Sequence, residues 1–235
     1  MIHTYLGETI HFEIYYKKRT SIGVTIDGYG TVAVQVPKGT PHNIVIQLLE
    51  EKWDLIQRTL KEIKDRLLGP QKKVYEYGES FLLLGKNYPI QIFQDINITK
   101  EHVVFEEGKL HIYVKQSDPA KIKQTLKRFY YQRCKALVEK SVSSYQSNFK
   151  IKPRSIRISD SKTTWGTCDS NLHLTFNWRL AMAPREVIDY VVVHEMCHMV
   201  HLNHDRSFWR LVGKIMPDYK EKENWLALSS WKMTI

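Results

Sequence analysis

The chain is expected to fold as an α+β protein, with a β-rich N-terminal unit that includes one long helix and a C-terminal half built around further helices. Three observations predict this. Short alternating runs separated by glycine turns fill most of the first 114 residues, two long stretches keep helical spacing, and the second of these leads into two strands and a short polar-faced helix. The expected boundary lies between residues 117 and 118.

In chain order, Thr9 to Tyr16 alternates as a strand does. Residues 21–27 and 31–36 follow, parted by Asp27-Gly28-Tyr29-Gly30, a hairpin-turn composition. Pro37-Lys38-Gly39-Thr40-Pro41 breaks the pattern. A helix is predicted over 42–68, burying Ile44, Ile46, Leu48, Leu49, Trp53, Ile56, Leu60 and Ile63 and stopped by Gly69-Pro70. Strands are predicted at 80–84, 89–94, 102–106 and 110–114. Asp118-Pro119 opens a second helix reaching to 147, with Ile122, Leu126, Phe129, Cys134, Leu137, Val138 and Val142 at helical spacing. Ile156 and Ile158 suggest a strand after Lys152-Pro153. Leu172, Leu174, Phe176, Trp178 and Leu180 alternate to give another, with Trp165-Gly166 in the loop between them. Near the end, Asp218 and Glu221 form a capping-box pattern for a helix containing Trp225 and Leu228.

Composition sets the outer bounds. With 43% hydrophobic and 26% charged residues among 235, the chain belongs with ordinary globular proteins. It has no apolar run long enough to span a bilayer and no signal-peptide pattern, so the expected setting is the cytoplasm, with no membrane partner. Three cysteines without paired spacing agree with a reducing compartment. The net charge of +10, gathered at Lys17-Lys18-Arg19, Lys72-Lys73 and along Lys121 to Lys135, favours anionic partners in general. No nucleic-acid-binding signature accompanies it, so a nucleic-acid partner has no motif behind it and a solvated basic surface is the simpler account.

The chemistry is concentrated in His194-Glu195-Met196-Cys197-His198 and in His204. Two histidines four apart sit one helical turn above each other, spaced to share a small cation, and the glutamate between them lies beside it. This is the H-E-x-x-H arrangement, in which the imidazoles hold Zn²⁺ and the carboxylate handles the proton of a metal-bound water. Pro184 stands where a first helical turn tolerates a missing N–H, and Val187, Val191, His194 and His198 then form one stripe. His201 on the same stripe would lie roughly 10 Å along the axis from His194, too far to share an ion. The chain must turn back, and Leu202-Asn203 offers a place. His204 is therefore the expected third ligand, followed by Asp205 as N-cap of a helix starting Arg206-Ser207-Phe208-Trp209. Three ligands leave one position open, the pattern of a catalytic site with one zinc per chain. Cys197 points away from the ligand stripe, and Cys168 suits a small supporting thiol.

The stretch Tyr190 to His198, together with Asn203-His204, Phe208-Trp209 and Pro217-Asp218-Tyr219, resembles the YgjP-like metallopeptidase-domain family, relatives of the SprT-type zincins. The resemblance extends upstream to Trp165-Gly166-Thr167-Cys168 and Asn177-Trp178-Arg179-Leu180. Thr164, Thr167 and Asp205 depart from the family's usual arginine, serine and serine; none is a proposed zinc ligand or the glutamate. The resemblance implies a zincin-like C-terminal domain in which an edge strand, expected at 172–180, aligns an extended peptide. Asn177, Arg179 and His201 are the candidate substrate-binding residues, with Arg206 and Tyr219 as further candidates to steady a developing oxyanion. The family also carries a UTP pyrophosphatase label, so a nucleotide is the alternative substrate; a zinc-stabilised binding module without turnover is a third reading.

Overall fold

The structure is a computed structural model that describes residues 1–27, 29–69 and 72–235. Gly28 of the expected hairpin turn and Pro70 of the expected helix stop lie outside the described residues. The chain forms two compact units, Met1–Gln71 and Lys72–Ile235, each an α+β arrangement.

In the first unit, β1 (Ile2–Tyr5), β2 (Glu8–Lys17), β3 (Gly23–Ile26) and β4 (Val32–Pro37) make a sheet in the order β1-β2-β4-β3. The outer pairs are antiparallel and the central β2/β4 pair is parallel. Alternation puts Ile10 and Phe12 of β2 and Val32, Val34 and Val36 of β4 on one face, where Val45, Leu49, Trp53 and Ile56 cover them. These last four come from α1 (His42–Glu51) and α2 (Trp53–Leu68), the two parts of the single helix expected over 42–68. The break is one residue, Lys52, at φ −105°, ψ 10°, and the hydrogen-bond ladder continues across it, since the Ile56 N–H still reaches the Lys52 carbonyl at 2.9 Å. The strand β1 was not expected, because its four residues are too few to establish a period.

The second unit opens with β5 (Ser80–Leu83), β6 (Lys86–Gln94), β7 (His102–Glu106) and β8 (Lys109–Val114), in the order β5-β6-β8-β7. Its topology repeats that of the first sheet, with antiparallel outer pairs about a parallel β6/β8 centre. In both sheets the first hairpin turns on Leu-Gly with positive φ at both residues, Leu6 and Gly7 at 52° and 82°, Leu84 and Gly85 at 50° and 79°. The second of these turns is docked. The Leu84 N–H donates to the Ala181 carbonyl at 3.0 Å and the Gly85 N–H to that of Met182 at 2.8 Å. A Cβ at Gly85 would lie 2.7 Å from the Pro184 ring, so glycine is required where the hairpin meets the start of the helix Arg185–His198.

There follow α3 (Pro119–Tyr145), β9 (Ser155–Ser159), β10 (Gly166–Cys168), β11 (His173–Asn177), a 3-10 turn at Trp178–Met182, α4 (Arg185–His198), α5 (Arg206–Ile215) and α6 (Tyr219–Ser229). One apolar core joins Phe81, Leu83, Ile90 and Ile112 of the sheet to Leu126 and Tyr130 of α3 and to Val192 and Met196 of α4. The compact units therefore divide at 71/72, whereas the sequence placed the division at 117/118: the second sheet has its buried face against α3 and belongs with the helices after it.

The small sheet has the order β10-β11-β9. β11 pairs with β10 on one side and β9 on the other, so the expected edge strand at 172–180 is a central strand that ends at Asn177. The edge strands are β9 and β10, and β10 is formed by residues assigned from sequence to a loop. Asn177 ends β11 by accepting the Arg179 N–H on its side chain at 3.1 Å. No helix among the described residues is long and apolar enough to cross a membrane.

Candidate metal centre

α4 follows Pro184, which caps it in an extended conformation. Val187 and Val191 are buried below the stripe, and His194 and His198 emerge half-buried above them. The helix stops at His198, earlier than the Leu202-Asn203 exit expected, and Asn203 does not adopt the left-handed conformation. The N–H groups of Val200 and His201 close the last turn on the Cys197 carbonyl, at 3.0 and 2.9 Å. This early exit brings the His201 carbonyl within 3.0 Å of His198 Nδ1. The bond makes Nδ1 the donor and leaves the Nε2 lone pair of His198 facing the site.

His204 completes the cluster. Its Nε2 lies 2.9 Å from that of His194 and 3.0 Å from that of His198, and one nitrogen from each of the three rings falls within 4.8 Å of the others. Burial, then the neighbouring His198 and His204 rings, lower His194 to about 4, so it is a neutral base at neutral pH. Tetrahedral Zn–N bonds of about 2.0 Å would set the nitrogens roughly 3.3 Å apart, a few tenths from the observed spacing. The three histidines thus fit a cation that takes imidazole nitrogen. His194 Nδ1 is buried without a hydrogen-bond partner among the described residues.

The aromatic side chains of α5 and its surroundings set the ring planes. Phe208 touches all three imidazoles, with centroids 4.9, 4.5 and 4.8 Å from His194, His198 and His204. Trp209 stacks on His204, and Tyr219 on Trp209. α5 is held by Asp205, whose carboxylate accepts the Ser207 and Phe208 N–H groups at 2.9 Å each, as its sequence position predicts. The expected capping box of α6 does not form: the Glu221 N–H is taken by the Asp218 backbone carbonyl at 3.1 Å, and the Asp218 side chain pairs with Lys222.

Glu195 is 5% exposed, and burial pushes its carboxyl up to about 8. The edge strand β10 lies directly against it. A Cβ at Gly166 would come within 2.6 Å of both Glu195 Cγ and Oε1, so only glycine lets the strand approach. Beside Glu195 opens a cavity of about 400 Å³, walled by Trp165, Gly166, Tyr190, Val191, Leu226 and Ala227, with Glu223 also lining it. The sequence offered signals for part of this wall, since Tyr190 stands one turn before His194 and Trp165-Gly166 lies in a quoted motif. Glu223 carried none.

The other candidates are placed around this centre. Asn177 is buried, and its amide donates to the Ser161 and Thr164 carbonyls at 2.8 and 3.1 Å. Arg179 binds Asp160 at 2.7 Å and lies over the Trp178 ring. Asp160 also accepts from Lys127 of α3 and from Trp178 Nε1, and the Lys127 ammonium chiefly holds its carboxyl well below the usual range. Asn177 and Arg179 line a second recess with Lys162 and Trp231, which shares Thr164, Trp165 and Ser230 with the cavity beside Glu195 and has none of the three histidines in its lining. The ring of His201 meets Ser207. Arg206, next to the Asp205 cap, is exposed, whereas Tyr219 belongs to the aromatic stack. Cys197 is fully buried in the core, as expected, and Cys168 is half-buried with its thiol pushed up to about 11, chiefly by burial. Neither joins the cluster.

A sequence model of the YgjP-like metallopeptidase domain matches residues 20–229. No curated protein matches the chain. Among solved structures, the metallopeptidase zymogen abylysin of Pyrococcus abyssi is similar over 40% of this chain and 95% of its own, at 21% identity and a TM-score of 0.36. With nearly its whole length covered by the family model and the three histidines converging beside Glu195, the chain belongs to the YgjP-like metallopeptidase-domain family.

Proposed function

We propose that the protein is a zinc-dependent peptidase in which His194, His198 and His204 hold the ion and Glu195 is the general base. The observation that carries this reading is a buried carboxylate set beside three converging imidazole nitrogens and open to a cavity. A zinc ion held there supplies Lewis-acid polarisation and lowers the pKa of water. Glu195 takes the proton of the attacking water and returns it to the leaving amine, a transfer suited to a carboxylate with raised proton affinity. The free edge of β10 offers the backbone of Gly166–Cys168 to an extended peptide, next to the general base. Asn177 and Arg179 act in this reading by positioning residues 160–165, and His201 by orienting His198 through its carbonyl.

Hydrolysis of a nucleotide such as UTP is less well supported. The cavity beside Glu195 is lined by the exposed Glu223 and, among the described residues, by no lysine or arginine, so nothing in its lining would balance the charge of a triphosphate. A purely structural zinc module has no use for a buried carboxylate beside its ligands.

The test is cleavage of a quenched-fluorescent peptide library by zinc-loaded protein and by Glu195→Gln, with zinc content measured in both and UTP assayed in parallel. Peptide cleavage that falls by about 10²–10⁴ in the variant, with one zinc per chain retained in both, is expected. Pyrophosphate release from UTP without peptide cleavage would overturn the proposal.

A further inference from the structure

We infer that the cavity beside Glu195 selects a peptide carrying a lysine or arginine side chain next to the scissile bond; this rests on the peptidase reading above. The cavity holds about 400 Å³, ample for a long unbranched side chain, and is continuous with the reacting groups because His194 and Glu195 form part of its lining. Its walls are apolar over the length such a chain would occupy: Trp165 from the edge strand's approach, Val191 from α4, and Leu226 and Ala227 from α6. The methylene stem of a basic residue packs against such a surface while its charged head stays near water.

Charge distinguishes this site from a general apolar pocket. Glu223 lines it and is exposed to solvent. Among the described residues Glu223 makes no salt bridge, and the neighbouring Lys222 is committed to Asp218. Among the described residues no lysine or arginine lines the cavity. A cationic head is therefore the group this carboxylate lacks, and an acidic side chain is disfavoured.

The test compares two peptides identical except for lysine or norleucine at the position next to the scissile bond. Their binding to Glu195→Gln protein is measured by fluorescence anisotropy and their cleavage by zinc-loaded wild type. The lysine peptide should bind about 10-fold more tightly, corresponding to about 1.4 kcal/mol. Added Glu223→Gln should remove most of that ratio, Glu223→Lys should invert it in favour of a glutamate peptide, and rising salt should shrink it. Both peptides are read on one preparation, so a poorly folded fraction leaves the ratio intact. Equal affinity for the two peptides, or a ratio that survives Glu223→Gln, would overturn the inference while leaving the peptidase reading in place. Absence of cleavage of every peptide by wild type would instead overturn the peptidase reading.

Discussion

At the scale of single residues, the positions that matter most divide into those that bear chemistry and those that make room for it. Gly166 is of the second kind. Any side chain there collides with Glu195, as contacts of 2.6 Å require, and the carboxylate is too confined to retreat without leaving its place beside the histidines. Gly166→Ala is expected to lower kcat by about 10²-fold, the effect of displacing a catalytic group by an ångström, while zinc content stays at one per chain. Loss of zinc together with activity would show that the strand supports the ligands and not the base. Sequence spacing singled out His194, Glu195 and His198 because residues on one helix are related by local geometry, and His204 because the chain must turn back to reach them; the three imidazoles do converge. Glu223 carried no such mark; it meets the site across a tertiary contact between α4 and α6.

At the scale of elements, the centre depends on how α4 ends and how α5 begins. The helix stops at His198 and the chain returns within a few residues to place His204, after which Asp205 caps α5 and so orients Phe208 against all three imidazoles. Asp205→Ala removes two side-chain hydrogen bonds to helix N–H groups and should cost about 1 kcal/mol of stability. It should also weaken zinc affinity several-fold in competition with a chromophoric chelator, since His204 is the adjacent residue. A variant that melts lower but binds zinc as tightly as wild type would confine the cap to stability. The cap was legible because a short acceptor before an apolar helix is a local signal. The exit from α4 was not, since it depends on which carbonyl His198 can reach. The small sheet follows the same division: alternation identified β11, but its central position and the edge position of β10 depend on pairings that alternation does not specify.

At the scale of the whole molecule, two sheets of one topology appear in succession, each followed by a helical segment. The second packs into one core with the helix that carries His194 and His198. Phe81, Leu83, Ile90 and Ile112 are essentially without exposure, and the Tyr130 hydroxyl of α3 donates to the Leu82 carbonyl at 2.7 Å. A chain of residues 118–235 would expose that face and is expected to show no cooperative thermal transition by circular dichroism, whereas residues 72–235 should melt cooperatively. Cooperative melting of 118–235 would contradict this account of the core.

The sequence by itself determined the α+β class, most strands and helices, the His194-Glu195-His198 face, His204 and the Asp205 cap, because each follows from periodicity or spacing within a few residues. Tertiary structure alone decided that β10 is an edge strand and β11 a central one, that the second sheet belongs with the helices of the site, and that Glu223 lines the same cavity as Glu195. Those outcomes depend on which distant surfaces bury each other, and a local pattern states that a face is apolar without stating what will cover it.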